Sequence, residues 1–235
     1  MKPSETADSG WKGLYRVGGA AALIIAVLLV CEIIIFTVWP QPSTVIGYFT
    51  LFRSNWLVGL LDLDLLGMVG YVLFVPVILA IYVALRRVNE AFMAIATALF
   101  FVGISAYFAT NTAFSLLTLS DQYAAATTEA ERSMFLAAGQ AMLTTFNVGA
   151  FQMSYVIVSA AWLMILAVML RSSVFGRVAA CSRILTGATA IGAVALEHTP
   201  VIGDIFVLLI SVYFAAIVFL VIWVVLIGRK LHQLG

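Results

Sequence analysis

The chain has 235 residues, of which 64% are hydrophobic and only 10% charged, against ~25% charged in a soluble domain. A water-soluble fold of this size cannot hide so much apolar surface in one core. A formal net charge of +1 argues against nucleic acid as a partner, which requires a basic face. The pattern is that of an all-α, polytopic transmembrane bundle, because a span needs about 20 apolar residues and six such runs fit the chain.

The polar start, Met1 to Lys12, precedes a first apolar run too long for a signal-peptide core and without a small-x-small cleavage pattern, so it reads as a retained span. That span is predicted at 17–39 and stops at Pro40 and Pro42, which lack the amide proton a helix interior needs. Residues 43–55 are apolar but broken, and predict a short interfacial helix with Tyr48, Phe49 and Phe52 dipping into lipid. Span two is predicted at 56–85, with a kink at Pro76, and span three at 91–119. The polar loop 120–132 follows. Within it, Thr128 and Glu131 have capping-box spacing, which predicts an outer amphipathic helix at about 129–143. A continuous helix from Glu129 to Leu170 would be about 63 Å long, so a break or bend is expected near Gly149. Span four is predicted at 144–170, span five at 178–196 and span six at 201–227.

Orientation follows from the basic residues. Ten of the twelve (Lys2, Lys12, Arg16, Arg86, Arg87, Arg171, Arg177, Arg183, Arg229 and Lys230) fall on one side of this topology, with Arg53 and Arg132 on the other. The positive-inside rule places the first group, and both termini, in the cytoplasm of a cell-membrane (inner or plasma membrane) protein. Cys31 and Cys181 read as small apolar fillers, too far apart to bridge.

Polar residues inside apolar runs are the candidates for function, because an ionised side chain at mid-bilayer costs roughly 2.5–3.5 kcal/mol even on insertion scales. They are Glu32, Asp62, Asp64, Asn111 and Asn147. Glu32 lies about 12 Å below the outer end of span one, Asp62 and Asp64 about 9 and 12 Å down span two, and Asn111 about 12 Å from the end of span three. All fall in the outer third, which predicts an acidic vestibule open to the outside. Asp62 and Asp64 are about 200° apart on a helix, so at most one is expected at a shared site. Glu197, His198 and Asp204, between spans five and six, are secondary candidates. Against the vestibule stands the plainer reading, in which each group reaches interfacial water or is neutral and hydrogen-bonded to a neighbouring helix.

Several chemistries are excluded. There is no membrane histidine pair for haem, no lysine within a span for a Schiff base and no Walker-type glycine loop. No cofactor is expected, and a metal is left open.

The stretches WLVGLLDLDLLGMVGYVLFVPVILAIYVALRRVNEA (56–91), AYFATNTAFSLLTLSDQYAAATTEAERSMFLAAGQ (106–140), Met169-Leu170-Arg171-Ser172 and the ending WVVLIGRKLHQLG (223–235) resemble a large family of bacterial and archaeal multi-pass membrane proteins known only as a domain of unknown function. The resemblance covers about 14–235. It implies a six-span bundle and carries over no activity or catalytic residue.

The expectation is a non-enzymatic integral membrane protein that binds a small or lipidic ligand, or a membrane partner, through the outer cavity. Membrane lipid surrounds it, and self-association is left open. The alternatives are a transporter or channel for a cation or small solute, with Glu32 and Asp62 or Asp64 as ion-coupled groups, and an outer-leaflet lipid-modifying enzyme using Glu32, Asp62 and His198.

Overall fold

The computed structural model describes residues 9–175 and 204–235. Among them the chain is helical, without strands. The helices are α1 (Lys12–Val38), α2 (Val45–Ser54), α3 (Trp56–Asp62), α4 (Leu65–Leu85), α5 (Glu90–Thr110), α6 (Ala113–Ala125), α7 (Glu129–Thr145), a π-helical stretch (Phe146–Met153), α8 (Ser154–Leu170) and α9 (Asp204–Leu234).

Five helical segments among the described residues are long and apolar enough to cross a membrane: Lys12–Val38, Leu65–Leu85, Glu90–Ala125, Glu129–Leu170 and Ile217–Leu234. Their outward faces carry large aliphatic side chains, with Val27 62% and Val156 69% exposed. Such a surface suits lipid and not water. These features are those of a multi-pass membrane protein. The expected span at 178–196 lies outside the described residues.

The structure departs from the expected elements in three places, two in helix bounds and one in what a helix face packs against. The run 56–85 is two helices, α3 and α4, because Leu63 and Asp64 leave the helical path: Leu63 takes φ −94° and ψ 36°, the peptide NH of Asp64 bonds only three residues back, to the Leu61 carbonyl at 3.2 Å, and Asp64 takes φ 66°. The run 91–119 divides at Asn111 and Thr112, and α6 then continues to Ala125 through much of the expected loop. Finally, α2 forms as expected, capped by Thr44, whose hydroxyl accepts from the Gly47 NH, but its aromatic face is covered by protein. Tyr48, Phe49 and Phe52 are all buried. An amphipathic helix covers its apolar face with whatever surface is available, and here α6 and α7 supply it. By contrast, α4 passes through Pro76 without interruption, and the capping box at Thr128 and Glu131 starts α7.

The described chain divides into two compact units. The first takes in residues up to Leu29, Val72–Ala98 and those from Ser159 onward. In it, the start of α1 packs against the end of α9. A Cβ on Gly19 would lie 2.9 Å from the Gly228 carbonyl oxygen, and one on Gly228 would lie 3.1 Å from that of Gly19. The missing side chains let the two backbones touch. Arg16 Nε donates to the Gly235 carbonyl at 3.2 Å. Gly18 meets Ala80 and the Pro76 carbonyl in the same way. Trp223, fully buried, stands edge-on to Trp162 at a centroid distance of 4.8 Å, and Arg86 lies 5.5 Å over the Trp11 ring.

The second unit takes in Val30–Tyr71 and Leu99–Val158. Its core joins Val45, Phe49 and Phe52 of α2, Leu60 and Leu63 around α3, Leu116 of α6, Leu143 of α7 and Phe146. Ser120 donates its hydroxyl proton to the Phe49 carbonyl at 3.1 Å, and Gly139 leaves space for Val45 and Phe49.

Candidate functional site

Among the described residues, the three interruptions of the long helices, at 63–64, 111–112 and 146–153, belong to the second unit. Backbone that leaves the helical pattern inside an apolar run needs other partners, since lipid offers none. The side chains near these interruptions provide them.

Asp64 is the first such residue. Among the described residues it alone, apart from glycines, has positive φ. This left-handed conformation suits Asp and Asn better than other side-chain-bearing residues. Its carbonyl accepts from the Met68 NH at 3.0 Å, and its carboxylate accepts from the Gly67 NH. Asp64 therefore caps the start of α4, satisfying a donor that the first turn leaves free. Gly67 is needed here, because a Cβ at that position would collide with the Asp64 carboxylate.

Two further groups converge on the same carboxylate. The Tyr107 hydroxyl donates to Asp64 Oδ2 at 2.5 Å. The Glu32 side chain of α1 is also hydrogen-bonded to Asp64. Two carboxyl groups can share such a bond only if a proton lies between them. The donors gather on Asp64, so the negative charge sits there and Glu32 supplies the proton.

Asn111 completes the cluster. Its Nδ2 donates to the Tyr107 hydroxyl oxygen at 3.2 Å, and its Oδ1 accepts from the Ala113 NH at 3.1 Å. One side chain thus bridges the α5–α6 interruption and orients Tyr107. Thr112 donates to the Met142 carbonyl of α7 at 2.8 Å. Thr110 fills the space above Gly149, where a Cβ would lie 2.6 Å from it. Tyr71 packs against Tyr107 with ring centroids 4.4 Å apart.

Asp62 behaves differently. It is 1% exposed, yet among the described residues neither carboxylate oxygen has a hydrogen-bond partner. Only its backbone carbonyl is held, by Gln41 Nε2 at 2.8 Å. It closes α3, outside the five apolar segments, and burial pushes its carboxyl up to about 6. Tyr48 of α2 is pushed up to about 12, first by burial and then by the nearby Asp62 carboxylate.

Of the residues singled out in the sequence, the structure joins Glu32, Asp64 and Asn111, with Tyr107 as the link. It sets Asp62 apart, beside Tyr48. Asn147 is exposed within the π-helical stretch and makes no bond to the cluster. Asp204 begins α9, while Glu197 and His198 lie outside the described residues. Tyr107 was the residue that sequence reasoning missed. The signal available was its spacing, four residues before Asn111 and so on the same helical face.

The cluster is packed upon itself. A shallow groove of about 360 Å³ in this unit is lined by Val148, Gln152, Met153, Val156 and Ile157, none of them cluster members. Among the described residues, no three His, Cys, Asp or Glu side chains come together as a metal site. What the arrangement can do chemically is hold a proton between two carboxyls, and release it when Asp64 is offered another partner.

No protein-family model matches the chain, and neither a curated protein nor a solved structure matches it.

Proposed function

We propose that the chain is a six-span cell-membrane protein with both termini in the cytoplasm, and that the Glu32–Asp64 pair is its proton-exchange site, coupling proton movement to passage of a cation or small solute. The observation that carries this reading is the carboxyl pair itself, held at the α3–α4 interruption by Tyr107 and Gly67. Interrupted helices with polar groups at the break are a recurrent way to build exchangeable ion sites inside membranes. The bond between Arg16 and Gly235 supports termini on one side, the basic-residue bias supports the cytoplasmic side, and the six apolar runs of the sequence support six spans.

The close packing of the cluster favours a proton over a bulky ligand. Binding of a lipidic ligand without transport is the second reading, favoured by the apolar groove around Val148 and Val156.

The test is proton flux into proteoliposomes under an imposed pH gradient, read with a trapped pH-sensitive dye. Wild type is expected to move protons faster than empty vesicles, and Glu32→Gln and Asp64→Asn to lose that excess. Flux equal to empty vesicles, or unchanged in both variants, would overturn the reading.

A further inference from the structure

The mechanism proposed for the carboxyl pair makes no use of Asp62. A carboxylate buried to 1% exposure with both oxygens unpartnered among the described residues is among the costliest groups a fold can hold, because its lost hydration is not replaced. The two basic residues of the second unit, Arg53 and Arg132, are both exposed, and neither reaches it. The surroundings favour positive charge. Asp62 is the last residue of α3, at the end where helix carbonyls and their partial negative charge collect. Tyr48 is buried in the same core as Leu60 and Leu63, which flank Asp62 in the chain, and Gln41 fixes the terminal peptide through the Asp62 carbonyl.

We infer that Asp62, at the C-terminal end of α3, is the anchor of a binding site for a small monovalent cation of the sodium type, with the Tyr48 hydroxyl as a neighbouring oxygen. A monovalent ion fits because a single carboxylate neutralises it, whereas a divalent ion would call for a carboxylate cluster that the described residues lack. The C-terminal end of a helix offers such an ion carbonyl and carboxylate oxygens together. This site stands apart from the Glu32–Asp64 pair and does not depend on that pair exchanging protons.

The experiment is binding of radioactive sodium to the purified full-length protein in detergent, in choline buffer at fixed pH and ionic strength. Thermal unfolding with and without sodium chloride runs in parallel. Wild type is expected to bind sodium saturably and to unfold at a higher temperature in its presence. Asp62→Asn should weaken binding at least tenfold and abolish the thermal shift, while Asn147→Ala, at an exposed position, keeps both. Tyr48→Phe, which preserves the ring and its packing, should weaken binding several-fold and guards against a folding defect in the Asp62 variant. Absence of saturable binding in wild type would overturn the proposal, as would an Asp62→Asn protein that binds sodium like wild type. Wild type stabilised by acid but indifferent to sodium would identify a proton site only, and would equally overturn it. The liposome proton flux is a separate readout, so loss of one reading leaves the other standing.

Discussion

The Tyr107 hydroxyl donates to Asp64 Oδ2 at 2.5 Å, and Asn111 donates in turn to that hydroxyl oxygen. The phenol is thus oriented from one side and spent on the other. Tyr107→Phe keeps the ring stacked on Tyr71 but leaves a buried carboxylate short of one donor. The expected cost is about 1–3 kcal/mol, read as a lower thermal midpoint in detergent. Because Asp64 then holds its charge less well, proton flux in liposomes should fall while the protein still folds. A Phe variant equal to wild type in both measurements would show that the bond has no consequence.

The left-handed backbone at Asp64 separates two roles of that residue. Replacing it by alanine removes the carboxylate and also puts an unsuitable residue at φ 66°. Glycine removes the carboxylate without the backbone penalty. Asp64→Gly should therefore be more stable than Asp64→Ala by about 1–2 kcal/mol, although both lack the charge. Side-by-side unfolding curves of the two variants check this, and an alanine variant at least as stable as the glycine one would contradict it.

Gly67 offers a test of the same cap from the other side. Its Cβ would collide with the Asp64 carboxylate, so Gly67→Ala must push the carboxylate off the first turn of α4. Elsewhere in a helix this exchange stabilises, by up to about 1 kcal/mol. Here it is expected to destabilise by about 1–3 kcal/mol, as overpacking does. Gly70→Ala is the control, since nothing lies within 4 Å of a Cβ there. The two substitutions should shift the thermal midpoint in opposite directions.

The sequence made the class, the apolar runs and the candidate acids legible, because hydropathy and charge report on lipid directly. The Thr128–Glu131 cap was legible for a similar reason, since its chemistry is local. What stayed hidden was where the long runs break. The stretch 56–85 has no hydrophobic gap at Asp64, and only an N-cap type of residue in mid-run hinted at a new helix start. The partnership of Glu32 with Asp64 joins residues on separate helices, and no local pattern encodes it. The burial of Tyr48, Phe49 and Phe52 was hidden for a related reason. An amphipathic face looks the same whether lipid or another helix covers it.

Asp62 gives a pH dependence whose sign can be worked out. Burial raises its carboxyl to about 6 in the folded protein, from an ordinary value near 4. Between those two values the folded state holds more protons than the unfolded one, so stability falls as pH rises through that window. Below about pH 4 both states are protonated and the penalty vanishes, while above about pH 6 it is complete. Asp62→Asn removes the titrating group. In sodium-free buffer the variant should match wild type near pH 4 and unfold at a higher temperature than wild type at pH 7 to 8, with the gap opening between pH 4 and 6. Sodium should close the gap by raising wild type alone. A gap that widened toward acid would mean that the Asp62 carboxylate finds stabilising partners in the folded protein, contrary to its orphaned oxygens.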